Sequence, residues 1–428
     1  MLRLNVREQD FDTRFNALVA DTREGDHGLG AQVAGIIRQV EEQGFAAIAE
    51  LTERYDRVRL TADQAEISKD EQAEAIALVP EEQARALEHA ARRIRAFHAL
   101  QHPADGEHLD ADGVRAGWRW TPVERAGLYV PGGRAAYPSS VLMNAIPAHV
   151  ANVGELVMVT PTPDGELNPL VMLAAQLAGV ARIFRIGGAQ AVAGLALGTD
   201  PLPRCDVIVG PGNAYVAEAK RQLYGRVGID MVAGPSEILV IADASARPDW
   251  IAADLLSQAE HDPLAQSILI TDSVTLADSV ENWVERLLTE LKTETSARAS
   301  WDRYGAIILV DSLDEAPALA NRLAAEHVEL LLTDHGPIFT KLRHAGSVFI
   351  GAYTPEAIGD YIGGPNHVLP TGRRARFSSG LSVASFMKRT TWLEAGEAGF
   401  SALAQSAATL ADAEGLPAHA LSVRIRQG

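Results

Sequence analysis

Residues 155–197 read ELVMVTPTPDGELNPLVMLAAQLAGVARIFRIGGAQAVAGLAL, and this stretch decides the fold. Two short apolar runs, at 155–160 and 182–186, have the length of buried strands. Residues 168–178 and 189–197 have the length and composition of helices. A strand–helix–strand–helix order predicts parallel strands that are covered by helices on both faces. The stretch therefore predicts an α/β unit with a parallel sheet.

The same alternation extends in both directions. Strands are predicted at 127–130 and 206–209, and helices at 139–152 and 213–224. A second block has predicted strands at 237–242, 267–271, 306–310 and 329–332, with helices at 248–261, 273–293 and 315–324. The two blocks show no sequence repeat, and they predict two α/β units.

The segments that flank these two blocks lack the alternation of strands and helices. Residues 1 to about 110 are predicted to be helical, with an amphipathic helix pair between 69 and 100. Residues 101–113 are predicted to form a linker or loop, and residues 363–380 a second loop rich in Gly, Pro, Arg and Ser. Residues 393–414 are predicted to be helical and to end in a short tail.

Composition excludes several classes of protein. The 428 residues suggest two or three domains, and 47% hydrophobic with 22% charged residues argue against wholesale disorder. A net charge of −18 repels phosphate backbones, so we do not expect nucleic acid as a partner. We expect no membrane partner either, because no stretch has the length and apolar character of a transmembrane helix. The single cysteine, Cys205, excludes an internal disulfide and a Cys-rich zinc module. No apolar stretch approaches about 20 residues, so we expect a cytoplasmic protein.

The first candidate site is the pair Gln258 and His261. The two residues are three apart near the end of a predicted helix, so both project from one face. Such a pair can hold a metal, but Gln is a weak zinc ligand and further ligands must come from elsewhere. The alternative is an ordinary histidine that the helix dipole favours at the last turn.

A second candidate is Glu326-His327, between a predicted helix and a buried strand. A carboxylate beside an imidazole can transfer protons, because His titrates near neutrality. A third is Asp360 with His367, which flank a Gly-Gly-Pro turn that lets a ligand approach the backbone. The alternative for both is a solvated loop.

The last two candidate features are less specific. Glu414 and His419 lie near the C-terminus, where a His is usually inert. Glycine turns at 131–133, 187–188 and 210–213 each follow a predicted strand and precede a helix. Open α/β sheets bind ligands there, and helix N-termini suit phosphate. Because no G-x-G-x-x-G is present, the turns indicate either a nucleotide site or simply tight connections.

Taken together, these blocks resemble the histidinol dehydrogenase family. The most specific are IDMVAGPSE at 229–237 and DLLSQAEH at 254–261. Further matching blocks, in the same order, are GLYVPGG at 127–133, SSVLMN at 139–144, GPGN at 210–213, EH at 326–327 and GGPNH at 363–367. The resemblance runs from about residue 127 to residue 419 and is weaker towards the N-terminus.

The resemblance implies two Rossmann-like parallel-sheet domains of the aldehyde-dehydrogenase-like kind, with small helical segments at both ends. It divides the chain into an N-terminal extension (1–25), a zinc and substrate domain (26–126 and 237–380), an NAD-binding domain (127–236) and a C-terminal dimerisation segment (381–428). It also implies a homodimer in which each subunit donates His419 and Glu414 to its partner's active site.

The activity implied by the resemblance is oxidation of L-histidinol through L-histidinaldehyde to L-histidine, the last step of histidine biosynthesis, with two NAD and one zinc. The implied zinc ligands are Gln258, His261, Asp360 and His419. Glu326 and His327 are the implied acid–base pair. Substrate contacts are implied for these six residues and for Ser236, His367 and Glu414, and NAD contacts for Tyr129, Gln190 and Asn213.

Residue chemistry indicates how these parts would work. Zinc would bind the substrate's amine and imidazole, and His327 would take the alcohol proton as hydride leaves to NAD. Glu326 would activate the water that supplies the second oxygen, while the reactive aldehyde stays bound. A thiohemiacetal route is not expected, because Cys205 lies at the start of a predicted buried strand without a basic partner beyond Arg204.

Two positions depart from the family pattern. Arg373-Arg374 stands in a loop that is usually richer in glycine, and Leu197 where Tyr is common.

Three rival functions stay open. A relative that oxidises another small alcohol would keep the zinc and acid–base parts but change the substrate end. A zinc hydrolase would need no nucleotide site. A ligand-binding protein without catalysis would not need Glu326 or His327.

Overall fold

The computed structural model describes residues 1–21, 23, 28–132 and 137–427. Its strands are β1 (Leu2–Asn5), β2 (Gly106–Leu109), β3 (Val114–Pro122), β4 (Arg125–Tyr129), β5 (Glu155–Val159), β6 (Arg182–Phe184), β7 (Val207–Val209), β8 (Gly228–Ile229), β9 (Glu237–Ala242), β10 (Gln266–Thr271), β11 (Ala306–Leu309), β12 (His327–Leu331), β13 (Ser347–Ile350) and β14 (Met387–Ala395). Gly133, part of the first predicted glycine turn, lies outside the described residues.

The helices are α1 (Phe11–Ala20), α2 (Leu29–Gln43), α3 (Phe45–Asp56), α4 (Lys69–Ile76), α5 (Glu81–Ala99), α6 (Pro138–Val150), α7 (Pro169–Ala178), α8 (Gly188–Leu197), α9 (Ala214–Leu223), α10 (Pro248–Ala259), α11 (Val274–Leu288), α12 (Glu294–Tyr304), α13 (Ala316–Leu323), α14 (Gly336–Lys341), α15 (Glu356–Tyr361), α16 (Glu397–Ala413) and α17 (Pro417–Arg424). Among the described residues, no helix is both long and apolar enough to cross a bilayer.

The stretch that decides the fold forms part of a parallel sheet of the order β6-β5-β4-β7-β8. Its central strands are buried on both faces, which explains their continuous apolar runs. Asn168 caps α7 and Asn213 caps α9, each accepting hydrogen bonds from main-chain N–H groups of the first turn. The predicted α/β unit is confirmed here.

The second block forms another parallel sheet, of the order β1-β11-β10-β9-β12-β13. Helices α10, α11 and α12 cover one face, and α1 and α13 cover the other. The fold class of two parallel-sheet units is therefore confirmed. The N-terminal segment also contributes β1, which the helical interpretation of residues 1–110 missed because this strand is only four residues long.

Helices α2 to α5 pack against the five-stranded sheet. Val33, Ile48 and Ala65 join the apolar layer on one face, while Leu87 and Ile94 join that on the other. The division expected from the family groups residues 26–126 with the other sheet. The domain division itself stays a prediction. It assigns residues 26–126 to the domain of the six-stranded sheet, whereas α2 to α5 contact the five-stranded sheet.

The C-terminal segment differs from expectation. Residues 393–395 end the long strand β14, so the prediction of helix from 393 was wrong at its start. β14 pairs with β3 and β3 with β2 in an antiparallel sheet, and the expected loop at 101–113 contains β2. Exposed residues predominate on β14, so its pairing rather than a buried face stabilises it. Residues 417–424, expected to belong to a tail, form α17.

Candidate active site

A cavity of about 380 Å³ lies between the two parallel sheets. On the five-stranded sheet it meets the carboxyl ends of β4 and β7, through Pro131 and the turn at 210–213. On the six-stranded sheet it meets the opposite, amino-terminal ends of β9 and β12. The residues predicted from sequence that line it are Asn213, Ser236, His261, Glu326, His327, Asp360 and His367.

His327 begins β12 and is almost completely buried. Its Nδ1 lies 3.0 Å from Gln258 Oε1 and 3.2 Å from the main-chain oxygen of Glu237. Since an amide oxygen and a carbonyl oxygen can only accept, Nδ1 carries the proton and donates it. Nε2 is then the unprotonated nitrogen of a ring that lines the cavity.

Burial shifts the pKa values of the acid–base pair in opposite directions. It lowers the pKa of His327 to about 4, so the ring is neutral and can accept a proton at neutral pH. It raises the pKa of Glu326 well above the usual value, although a hydrogen bond from the Glu237 main-chain N–H, at 3.1 Å from Glu326 Oε2, opposes that shift. Strongly shifted groups that share one cavity are typical of catalytic sites.

Two expected metal ligands from this chain, His261 and Asp360, line the same cavity, and Gln258 contacts His261. Gln258 Nε2 lies 3.2 Å from His261 Nδ1, in and just beyond the last turn of α10. Asp360 lies on α15, and its main-chain oxygen is 2.8 Å from His367 Nδ1. Gln258 is buried, whereas His261 is exposed at the cavity wall.

A second grouping of ligand atoms overlaps with this set. Atoms of His327, Glu356 and Asp360 lie within 4.8 Å of one another. The expected set shares Asp360 with this grouping and has Gln258 and His261 in place of His327 and Glu356. Nitrogen and oxygen donors of these kinds suit zinc, so the residues present fit that ion.

The two C-terminal candidates are not part of this arrangement. Glu414 follows α16 and His419 lies on α17; both are exposed, and neither lines the cavity. Within one chain, the structure therefore brings together three of the four expected zinc ligands and leaves His419 apart.

The expected NAD contacts converge on the carboxyl edge of the five-stranded sheet. Tyr129 ends β4, and its hydroxyl accepts a hydrogen bond of 3.0 Å from the Gly188 main-chain N–H. Gln190 is buried in the first turn of α8, and Asn213 is the cap of α9. A second cavity, of about 640 Å³, shares Pro131 with the first and extends along the same edge.

Residue 210, in the turn that follows β7, has to be glycine. Gly210 has φ +112°, and an added Cβ would lie 2.1 Å from the Tyr129 main-chain oxygen. Its N–H donates to Asp230 Oδ2 at 2.8 Å, and its oxygen accepts from Lys220 Nζ at 2.9 Å. Lys220 and Asp230 are both buried and form an ion pair, which fixes the turn at the edge of the cavity.

Sequence reasoning missed one buried carboxyl group in the site. Glu356 Oε1 lies 3.2 Å from His327 Nδ1, and burial raises the pKa of Glu356 well above its usual value. The available signal was its spacing, because Glu356 lies four residues before Asp360 and therefore on the same helical face.

The comparisons with known proteins agree with one another. The histidinol dehydrogenase family model matches residues 20–427. A histidinol dehydrogenase of Zymomonas mobilis is 59% identical over 423 residues, covering 99% of this chain and 98% of the relative, and one of Ruegeria pomeroyi is 56% identical with the same coverage. The crystal structure of histidinol dehydrogenase from Elizabethkingia anophelis aligns with a TM-score of 0.95 at 35% identity, covering 100% of this chain and 98% of that one.

The fold and the site, with these matches, define an NAD-dependent oxidoreductase built on two parallel α/β sheets. More particularly, the chain belongs to the histidinol dehydrogenase family, whose reaction is the final step of histidine biosynthesis.

Proposed function

We propose that the chain oxidises L-histidinol to L-histidine in the cavity between the two sheets, with zinc and NAD as cofactors. The observation that carries the proposal is the buried Glu326–His327 pair at the wall of that cavity, in a chain that belongs to this family. The overall reaction takes one alcohol, one water and two NAD⁺ to a carboxylate, two NADH and three protons.

Zinc would be held by Gln258, His261 and Asp360 of one chain and by His419 of the other. When bound, it would supply a Lewis acid that orients the nitrogen atoms of the substrate. In support, His261 and Asp360 line one cavity, Gln258 contacts His261, and the exposed α17 carries His419 outside the cavity. Ser236 and His367 line the cavity, so we assign them, with Glu414 of the second chain, to the substrate.

NAD would lie along the carboxyl edge of the five-stranded sheet, in contact with Tyr129, Gln190 and Asn213. Bound there, it would supply the hydride acceptor. In support, parallel sheets bind ligands at this edge, and the N-termini of α8 and α9 present main-chain N–H groups to it. We accordingly assign residues 127–236 to NAD binding and keep the other expected domain boundaries as part of the proposal.

His327 acts as the base for the alcohol. Nδ1 donates to Gln258 and Glu237, so Nε2 accepts the hydroxyl proton. A pKa of about 4 without ligands keeps this nitrogen unprotonated before the substrate arrives. The proton taken up must leave before the second oxidation, in which His327 accepts another.

Glu326 acts on the water of the second oxidation. Its raised pKa makes the ionised carboxylate a stronger base than an exposed one, so that it can take a proton from water as the oxygen adds to the aldehyde. Because Oε2 accepts from the Glu237 N–H, the carboxylate is held at the cavity wall while it does so.

We also propose that the active form is a homodimer. The last two helices and the residue that follows them expose four large apolar side chains, Leu403, Leu410, Leu421 and Ile425. Covering this surface by a second chain would bury those side chains and would bring His419 and Glu414 to a neighbouring site. The expected cytoplasmic location is part of the same proposal, since the only cysteine is a buried thiol that needs no oxidising compartment.

The test is reduction of NAD by the purified protein with L-histidinol as the sole substrate, followed by identification of the product. We expect L-histidine, loss of activity after chelation and recovery on addition of zinc. A protein that binds NAD but oxidises only a different alcohol would contradict the proposal.

A further inference from the structure

The main chain of Glu237, the first residue of β9, is bonded to both members of the acid–base pair. Its N–H donates to Glu326 Oε2 at 3.1 Å, and its oxygen accepts from His327 Nδ1 at 3.2 Å. A replacement of Glu237 by any residue except proline leaves both of these main-chain groups in place. Their geometry depends on where this part of the main chain lies.

The Glu237 side chain is anchored by two buried arginines from distant segments. Arg23 Nη2 binds Glu237 Oε1, and Arg373 Nη1 lies 3.2 Å from the same oxygen. The three side chains are 0%, 7% and 1% exposed for Arg23, Arg373 and Glu237, so bulk water does not reach the cluster. Both arginines therefore act on one oxygen of the carboxylate, Oε1.

Each arginine is in turn tied to a strand or turn beside the site. Arg23 Nη1 donates to the Leu264 main-chain oxygen at 2.9 Å. Arg373 Nη2 donates to Gln266 Oε1 at 2.6 Å, and Gln266 is the residue opposite Glu237 in the pairing of β10 with β9. The anchor thus joins the amino-terminal ends of β9 and β10, of which β9 meets the cavity.

A second contact links the loop of Arg373 to the same turn. The Thr371 hydroxyl accepts a hydrogen bond of 2.5 Å from the Gly234 main-chain N–H, two residues before Ser236. Burying two guanidinium groups and one carboxylate costs desolvation free energy, and such clusters add little net stability relative to an apolar core of the same volume. What the cluster does provide is a defined position for residues 234–237.

We propose that Glu237, Arg23 and Arg373 are positioning residues, which set the catalytic pair through the main chain of residue 237. The proposal rests on the function proposed above. Because none of the three side chains lines the cavity, their loss should affect turnover rather than substrate binding.

The test compares Glu237→Gln, Arg373→Met and Arg373→Lys with the control Arg7→Met, which removes an exposed ion pair with Asp311. We expect Glu237→Gln and Arg373→Met to lower kcat about tenfold or more and to change KM for L-histidinol by less than about threefold, because misplacement costs rate. Zinc content should stay unchanged, and Arg373→Lys, which keeps the charge, should recover part of the loss. Arg7→Met should match the wild type.

Three results would overturn the proposal: unchanged kcat in folded variants, a rise in KM as large as the fall in kcat, or an Arg373→Lys variant no better than Arg373→Met. If Glu237→Gln does not fold, the Lys and Met pair at 373 decides the matter. A wild-type protein that fails to oxidise L-histidinol would instead count against the proposed function, so the two failures are distinguishable.

Discussion

Nδ1 of His327 lies 3.0 Å from Oε1 of Gln258, so the proposed base and an expected zinc ligand are joined by one hydrogen bond. The bond places the proton of the neutral imidazole on Nδ1 and leaves Nε2 unprotonated. An amide oxygen has two lone pairs, so Oε1 can accept from His327 and keep one lone pair for a metal.

Replacement of His327 by Asn should lower kcat for L-histidinol by about 10²- to 10⁴-fold, the usual contribution of a general base. The measurement is the rate of NADH formation at saturating substrate. His89→Asn, on the exposed face of α5, is the matched control and should retain wild-type turnover. Loss of less than about threefold in His327→Asn would contradict the role assigned to Nε2.

Glu326→Gln should impair oxidation of the aldehyde more than oxidation of the alcohol, because only the second step needs activated water. The two half-reactions can be followed separately, with L-histidinol and with L-histidinaldehyde as substrates. Equal losses in both steps would indicate that Glu326 serves the site in another way.

His419→Ala should lose zinc affinity while the protein remains folded. The His419 side chain is exposed on α17, so its replacement removes a metal ligand without disturbing the hydrophobic core. Metal content after dialysis against a weak chelator measures this, with circular dichroism as the control for folding. Full activity at trace zinc would refute the assignment.

Mixed dimers test whether His419 crosses an interface. Neither His419→Ala nor His327→Asn alone has a complete site, but a mixed dimer would contain one. Random mixing should restore about a quarter of the wild-type activity, since half of the dimers are mixed and each has one complete site. No recovery, with mixed dimers demonstrably present, would place His419 in the site of its own chain or outside any site.

Gly210→Ala should destabilise the fold by about 3 kcal/mol or more, because φ is +112° and the added Cβ would meet the Tyr129 oxygen. Gly35→Ala, in an exposed helix interior with nothing near its Cβ, should instead stabilise by about 0.5–1 kcal/mol. Chemical denaturation of both variants measures the contrast. Equal effects would show that the turn at 210 relaxes freely.

Asp254 provides a pH prediction. Burial raises its pKa to about 6, above the ordinary value of 3.8, so the folded state favours the neutral form. The contribution of the neutral carboxyl group of Asp254 to the free energy of unfolding is fully present at low pH. It is lost as pH rises through about 6. Asp254→Asn should therefore gain about 1–3 kcal/mol of stability over the wild type near pH 7.5 and little near pH 4.

Thermal melts of metal-free protein at the two pH values give the comparison for Asp254→Asn. Asp302→Asn, at an exposed carboxylate, is the control and should show no pH-dependent gain. A gain that is equal at both pH values would mean that the ionisation of Asp254 does not carry the effect.

Much of the fold follows from local pattern. Buried parallel strands such as β5 and β9 are continuous apolar runs, and the asparagines that cap α7 and α9 mark helix starts. β14 was partly mistaken for helix because its stability comes from pairing with β3, more than 260 residues away in sequence. Local periodicity carries no record of such a pairing.

The site was predictable only in part, for a similar reason. Glu326 and His327 are adjacent in sequence, and Gln258 and His261 share a helical face, so their proximity was visible. The contact of Glu356 with His327 and the anchoring of Glu237 by Arg23 and Arg373 join distant segments. Arg373 stood out only as an unexplained departure in a loop, because charge in a sequence does not show burial.

The proposed reaction is a four-electron oxidation carried out at one site. The most direct measurement is the number of NADH formed per L-histidinol consumed at limiting substrate, with and without a chelator. We predict two NADH per substrate with L-histidine as the product, abolished by the chelator and restored by zinc. One NADH per substrate with release of the aldehyde would contradict the role of Glu326 and the claim that both oxidations occur in this cavity.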